Sequence, residues 1–320
     1  DFATRAITGA TLPEPAGLVL LSPEIGGSAA ARLAAPLSWF GRTFGIKKLA
    51  WASVSPEYDP YKYCCFALRA DLTAWNATQV VKAHVQALQD ADRVDQMPKI
   101  LAFQSGADAT VDAPALISEL FDRLQGSGHH LFLFDGNQAY GPPDLLTGLL
   151  DVTTLLKGEP RAYATSVLTN AEPGSFATVL RQRPAGTNEV RVTPLDLDWP
   201  ANVYSLAHIA LPFQPDDPVC STGSGSDMPT DQLLNMGGVP MYGERNVLKI
   251  PTAGLLRQHW NPFHSVMTDS VLDFAAQLSP RTSIPAEVTV ASHSLRTKTR
   301  NVREGERGFV HKPLGDARRP

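Results

Sequence analysis

The side chains of this chain that could take part in chemistry are a carboxylate, Asp108, and a histidine, His208. Asp108 follows residues 100–103, an apolar run of strand length, and precedes a segment with apolar residues at helical spacing. A carboxylate there can reach a reactive crevice, because such crevices form at the carboxyl ends of parallel strands. The alternative is a turn residue that accepts hydrogen bonds from local backbone N–H groups. His208 lies within an apolar segment, where the alternative to a functional histidine is one satisfied inside the core.

The elements around this carboxylate alternate between strand and helix. Residues 18–21 are continuously apolar, as expected for a strand buried on both faces of a parallel sheet, and residues 100–103 form a second such run. Between them, residues 30–48 and 72–88 have helical spacing. The sequence therefore predicts a mainly helical cap at residues 27–96, inserted between two strands of a mostly parallel, doubly wound α/β sheet.

The same alternation continues after Asp108. The predicted elements are a helix beginning near Pro114, strands at 131–134, 162–168 and 189–192, helices at 145–156 and 266–278, and a core segment at 202–213. These predictions divide the chain into a first core strand within residues 1–26, the cap at 27–96, the rest of the core at 97–278, and a tail at 279–320. The tail is basic and lacks apolar periodicity, which predicts disorder.

Composition and charge exclude several classes of partner and cofactor. The 320 residues carry a formal net charge of -4, which gives no reason to expect nucleic acid or an anionic membrane as partner. No apolar run approaches the roughly 18–20 residues of a membrane span. The three cysteines include the adjacent Cys64 and Cys65 and lack metal-ligand spacing. The loop at Asp216 and Asp217 fits neither a phosphate-binding nor a calcium-binding motif, so no cofactor or metal is predicted.

Three stretches together resemble the later half of an α/β-hydrolase. They are Gly17-Leu-Val-Leu-Leu-Ser-Pro before the aromatic cap, Ala102-Phe-Gln-Ser-Gly-Ala-Asp-Ala-Thr-Val, and Ser205-Leu-Ala-His-Ile-Ala-Leu-Pro-Phe. The branch they resemble contains serine aminopeptidases, lysophospholipases and monoglyceride lipases. This resemblance implies a Ser-Asp-His triad in that chain order. Asp108 matches the acid and His208 the base, with His264 as the fallback for the base.

The nucleophilic serine is missing from this pattern, since no Gly-x-Ser-x-Gly occurs in the chain. Gly26-Gly-Ser28-Ala-Ala is a relaxed version, but the fold places about five strands before the true nucleophile. We therefore expect residues 1–9 to be the end of the nucleophile helix and the serine to lie upstream. A chain that begins at Asp1 without Met also leaves its targeting signal open, with the cytoplasm as the default localisation.

The resemblance implies a hydrolase of carboxylic esters, small or lipid-like, or less readily of peptides. The cap aromatics Trp39, Phe40, Trp51, Tyr58, Tyr61 and Tyr63 would wall an apolar substrate pocket, unless they serve only to pack the cap on the core. The second hypothesis is a non-catalytic binding or scaffold protein that keeps the fold without a working triad. As given, with the serine upstream, the chain is expected to be inactive.

Overall fold

The description of the fold rests on a computed structural model. It covers residues 1–9, 11–26, 34–46, 51–54, 65–108, 111–140, 146–147, 150–201, 203–217, 238–239, 250–251, 257–258 and 260–278. The predicted tail at 279–320 lies outside these residues.

The elements follow one another along the chain as strands and helices of very different length. The strands are β1 (Gly17–Leu21), β2 (Trp51–Val54), β3 (Cys65–Ala67), β4 (Lys99–Ser105), β5 (His130–Phe134), β6 (Leu146–Thr147), β7 (Ala164–Asn170), β8 (Ala177–Arg183), β9 (Arg191–Asp198), β10 (Gly238–Val239), β11 (Ile250–Pro251) and β12 (Arg257–Gln258). The helices are α1 (Phe2–Ile7), α2 (Ala34–Thr43), α3 (Leu68–Asp90), α4 (Ala113–Glu119), α5 (Val152–Lys157) and α6 (His264–Leu278). Short 3₁₀ turns lie at Val94–Gln96, Phe121–Arg123 and Gln138–Tyr140.

A mixed sheet of six strands, in the order β1-β4-β5-β7-β8-β9, forms the centre of the fold. The first four strands are parallel, and β8 and β9 extend the sheet in antiparallel fashion. The prediction of an α/β fold with a mostly parallel sheet is confirmed. The strand predicted at 162–168 is β7 and that at 189–192 is the start of β9, whereas β8 was not predicted.

β4 and β5 are buried on both faces of the sheet, which explains their continuously apolar sequences. The prediction of the same burial for residues 18–21 is wrong in part, because β1 lies at the edge of the sheet and its Val19 and Leu21 are exposed. Side chains alternate along a strand, so Ile100 and Ala102 of β4 join one core and Leu101 and Phe103 join the other. The first core is completed by side chains of α1, α3, α4 and α5, among them Ile7, Val85, Leu88, Leu116, Ile117, Leu155 and Leu156. The second is completed by α6 and by irregular segments, through Trp199, Val203, Leu206, Leu211, Trp260, Phe263, Met267 and Phe274.

The region predicted as a cap contains α2, the antiparallel pair β2–β3 and all of α3. α2 is a helix, as its spacing predicts. The last turns of α3, however, place Val85 and Leu88 in the core against the sheet. That helix therefore belongs in part to the layer that covers the sheet, although all of it lies within the predicted cap at residues 27–96.

Two further segments differ from their predicted structure. Residues 145–156 were predicted as one helix, but α5 begins only at Val152, because the carboxylate of Asp151 accepts hydrogen bonds from the N–H groups of Thr153 and Thr154 at 3.0 Å each and caps the helix there. The segment at 203–213 is buried in part, as predicted, but it forms no continuous strand: Leu206 is an isolated bridge residue and residues 208–212 are turns.

The first testable consequence concerns His130, at the amino end of β5. Burial lowers the pKa of His130 to about 4, and its Nε2 lies 2.8 Å from Oγ of Ser166. The unfolded chain, with a histidine pKa near 6.5, binds a proton that the folded state does not, so stability falls as the pH drops from about 6.5 to about 4. Across that window the loss amounts to roughly 3 kcal/mol. Urea unfolding at several pH values measures this loss. Between about pH 6.5 and about pH 4, the free energy of unfolding of H130Q should fall by roughly 3 kcal/mol less than that of the wild type. Parallel pH profiles would contradict the prediction.

Candidate functional site

Asp108 lies in the loop that joins β4 to α4, at the carboxyl edge of the parallel strands. The loop is fixed on both sides: the N–H of Gly106 donates to the carbonyl of Phe134 at 2.8 Å, and Nε2 of Gln104 donates to the carbonyl of Val111 at 3.1 Å. Asp108 Oδ1 accepts from the N–H of Val111 at 3.1 Å. The carboxylate is therefore a turn acceptor through Oδ1, as the simpler sequence interpretation requires.

The other oxygen, Oδ2, makes two contacts with His208. Oδ2 of Asp108 accepts from the backbone N–H of His208 at 2.5 Å and lies 2.9 Å from Nδ1 of its ring. The side chain of Asp108 is 3% exposed and that of His208 25%. A carboxylate buried to this degree is stable only when its oxygens are hydrogen-bonded, and His208 supplies two of the bonds.

This arrangement determines which ring nitrogen of His208 can act as a base. An ionised carboxylate only accepts hydrogen bonds, so Nδ1 carries the hydrogen and the lone pair of neutral His208 is on Nε2. Within the part of the chain that the structure describes, Nε2 has no hydrogen-bond partner. A histidine held this way can take a proton at Nε2, while the carboxylate stabilises the positive charge that results.

The remaining predicted catalytic residues are not part of this contact. His264 begins α6, where its Nδ1 lies 3.4 Å from Oγ1 of Thr268 in the same helix. Ser28 lies outside the described residues. The structure thus brings Asp108 together with His208, the first choice for the base, and not with the fallback.

The predicted pocket aromatics are described only in part. Trp39 and Phe40 belong to α2 and are 63% and 48% exposed, so they are more open to solvent than the walls of an enclosed pocket. The backbone of Trp51 lies in β2, and its side chain is outside the described residues, as are Tyr58, Tyr61 and Tyr63. Their contact with a substrate stays a prediction.

Sequence reasoning missed a group of polar residues at the same edge of the sheet, which we call the polar network: the buried Asp135, Asn137, Thr169 and Asn170 and the half-buried Gln138. Asp135 Oδ2 accepts from Oγ1 of Thr169 and Nε2 of Gln138, at 2.8 and 2.9 Å. Burial raises the pKa of Asp135, against the effect of these hydrogen bonds. The signal was visible, since Asp135 directly follows an apolar strand and precedes α5 in the chain, the same placement that singled out Asp108.

The comparisons with known proteins add no further assignment. No protein-family model matches the chain, no curated protein matches it, and no solved structure matches it. Among the described residues, no three or more His, Cys, Asp or Glu side chains are grouped so that they could hold a metal ion. None of the helices in that part of the chain is both long and apolar enough to cross a membrane.

Removing the Asp108 carboxylate should destabilise the fold. In D108A, the N–H groups of His208 and Val111 and the ring Nδ1–H lose a buried acceptor, which costs roughly 1–3 kcal/mol. The matched control is D112A, since Asp112 is exposed and makes no capping hydrogen bond with its side chain; its effect should stay within about 0.5 kcal/mol. Urea unfolding measures both. Equal, small losses for the two variants would contradict the role given to Asp108 in holding His208.

Proposed function

We propose that the chain carries the acid and the base of a serine hydrolase that acts on carboxylic esters. The observation that supports this is the double contact of His208, through its backbone N–H and its Nδ1, with the single oxygen Oδ2 of Asp108. Such a contact fixes the tautomer and the orientation of the imidazole, which is what a histidine base needs in order to activate a hydroxyl group.

In this mechanism, Nε2 of His208 takes the proton of a serine hydroxyl as the serine oxygen attacks the ester carbonyl carbon. The carbonyl electron pair moves to the oxygen and returns as the alkoxide leaves, and His208 gives its proton to that alkoxide. The alcohol departs and the acyl group stays on the serine. A water molecule, deprotonated by the same Nε2, then attacks the acyl carbon. The bond between that carbon and the serine oxygen breaks, His208 returns the proton to the serine oxygen, and the carboxylic acid departs. Asp108 keeps the hydrogen bond to Nδ1 and stabilises the imidazolium in both halves of the reaction.

The proposal also includes the detailed arrangement of the fold. The order of elements supports an α/β-hydrolase arrangement with a cap: strand β1, an inserted region with α2, strand β4 with Asp108 after it, strand β5, and later His208. A substrate with an apolar acyl group is favoured, because the exposed aromatic rings of Trp39 and Phe40 on α2 offer apolar surface. Within this sequence the candidate for the nucleophile is Ser28.

The test is the hydrolysis of p-nitrophenyl butyrate by the protein as it occurs in its natural source. We expect H208A to lower kcat by roughly 10⁶-fold, because members of a triad act as a unit. D108N should lower it by roughly 10⁴-fold, because an amide favours the wrong tautomer of the imidazole. H84Q is the matched control: His84 lies on α3, where its Nδ1 contacts Asp1 and Thr4, and its replacement should leave kcat unchanged.

The remaining variants separate the alternatives. S28A abolishes activity if the relaxed motif provides the nucleophile, and leaves it intact if the serine lies elsewhere. Activity that survives H208A but is lost in H264A would overturn the assignment of the base. A wild-type protein that hydrolyses no ester would contradict the proposal and leave the non-catalytic scaffold as the better account.

A further inference from the structure

The segment that carries His208 has no regular secondary structure to hold it in place. Residues 203–213, which we call the His208 segment, are irregular: Leu206 is an isolated bridge residue and residues 208–212 are turns, with local bonds such as the N–H of Ala210 donating to the carbonyl of Ala207 at 2.9 Å. In a helix or strand, the position of His208 would follow from the ladder of backbone hydrogen bonds. Here its position relative to Asp108 must be fixed by contacts from elsewhere.

At the first end, Asn137 makes those contacts. It lies three residues after the end of β5 and is buried. Its backbone N–H donates to the carbonyl of Tyr204 at 2.7 Å, and its side-chain Nδ2 donates to the carbonyl of Val203 at 2.7 Å. A single residue at the edge of the sheet thus satisfies two successive carbonyls of the His208 segment.

Asn137 is itself held in one orientation. Its Oδ1 accepts from the N–H of Ala139 and from Nδ2 of Asn170, both at 3.0 Å. Asn170 lies at the end of β7, and its own Oδ1 accepts from the N–H of Gln138 at 2.8 Å. The polar network therefore ties Asn137 to two neighbouring strands of the sheet.

At the second end, Asn261 has the corresponding role. It comes after β12 and before α6 in the chain and is fully buried. Its backbone N–H donates to the carbonyl of Phe213 at 2.7 Å, and its Nδ2 donates to that of Leu211 at 3.4 Å. Its Oδ1 accepts from the N–H of Phe263 at 2.9 Å, which orients the amide. Both asparagines use the backbone N–H and the side-chain amide on carbonyls of the same segment.

We infer that Asn137 and Asn261 are positioning residues, which fix the two ends of the His208 segment so that the backbone N–H and Nδ1 of His208 both reach Oδ2 of Asp108. The catalytic meaning of this inference rests on the proposed function. The positioning of His208 does not depend on that function, since the contact between His208 and Asp108 can be measured without any substrate.

The His208 segment must be held in place because two donors of His208 share one oxygen of Asp108. The backbone N–H and the ring of His208 meet Oδ2 at 2.5 and 2.9 Å, so a shift of the segment by about an ångström lengthens both contacts beyond the range of a good hydrogen bond. Side chains in a catalytic constellation must be held by supporting hydrogen bonds to roughly 0.5 Å. The two buried amides supply such support from opposite sides.

The experiment compares N137A and N261A with the wild type by NMR. One readout is hydrogen exchange of the His208 backbone amide, and the other is the Nδ1–H resonance of its imidazole. In each asparagine variant we expect the His208 amide to exchange roughly 5–30-fold faster, with loss or broadening of the imidazole signal. If N137A does not fold, N137S keeps a short polar side chain and tests the same bonds.

The matched control for lost stability is V167A. Val167 is buried in the first core, on the face of the sheet opposite Leu206 and Leu211, so its truncation destabilises the fold without touching the His208 segment. An intact His208 signal in V167A, together with its loss in the asparagine variants, supports the inference. An asparagine variant in which His208 exchanges as in the wild type overturns the role of that residue, and equal effects in V167A overturn both.

These outcomes are independent of the proposed function. If the wild type hydrolyses esters, the asparagine variants should lower kcat and leave KM nearly unchanged. If the wild type has no hydrolytic activity but the exchange results are as expected, the positioning role stands and the proposed function fails.

Discussion

One oxygen atom, Oδ2 of Asp108, is the point on which the candidate site depends. A charged carboxylate that is 3% exposed would be strongly unfavourable without hydrogen bonds, and this one receives two of them from a residue a hundred positions later in the chain. The stability of the buried charge and the orientation of the imidazole are therefore set by the same contact. Any change that moves His208 also leaves Asp108 short of donors.

The sheet provides the fixed half of this contact. β4 is central, with hydrogen-bonded neighbours on both sides, and its carboxyl end is held by the Phe134 carbonyl at the end of β5. The irregular half is the His208 segment, which follows the antiparallel strands β8 and β9. An irregular backbone can bring a side chain to the edge of a sheet where no strand ends, but it needs side-chain partners for its carbonyls.

Much of the sheet could be predicted from the sequence, because strands buried on both faces, such as β4 and β5, are continuously apolar. β8 could not, since it contains Arg181, Gln182 and Arg183. Arg183 is nevertheless buried, and its Nη1 donates to the carbonyls of Leu156 and Gly158 at the end of α5. No local pattern reveals a bond between residues so far apart.

In the candidate site, too, some features could be predicted from the sequence and others could not. Asp108 could be found from its place after a strand, and His208 from the resemblance of its surroundings to a hydrolase motif. The turn structure around His208 could not be predicted, because its apolar residues indicate burial without indicating conformation. The bonds from Asn137 to Val203 and Tyr204 are long-range, so their effect on the segment is visible only in three dimensions.

In the proposed triad, Nε2 of His208 faces the reacting serine. A crystal structure of the natural protein after reaction with a p-nitrophenyl phosphonate, which leaves a phosphonyl group on a nucleophilic serine, measures this directly. We expect the modified serine Oγ to lie within hydrogen-bond reach of Nε2, about 2.6–3.2 Å or somewhat longer, with the Asp108 contact intact. A phosphonyl group attached far from His208, or next to His264, would contradict it.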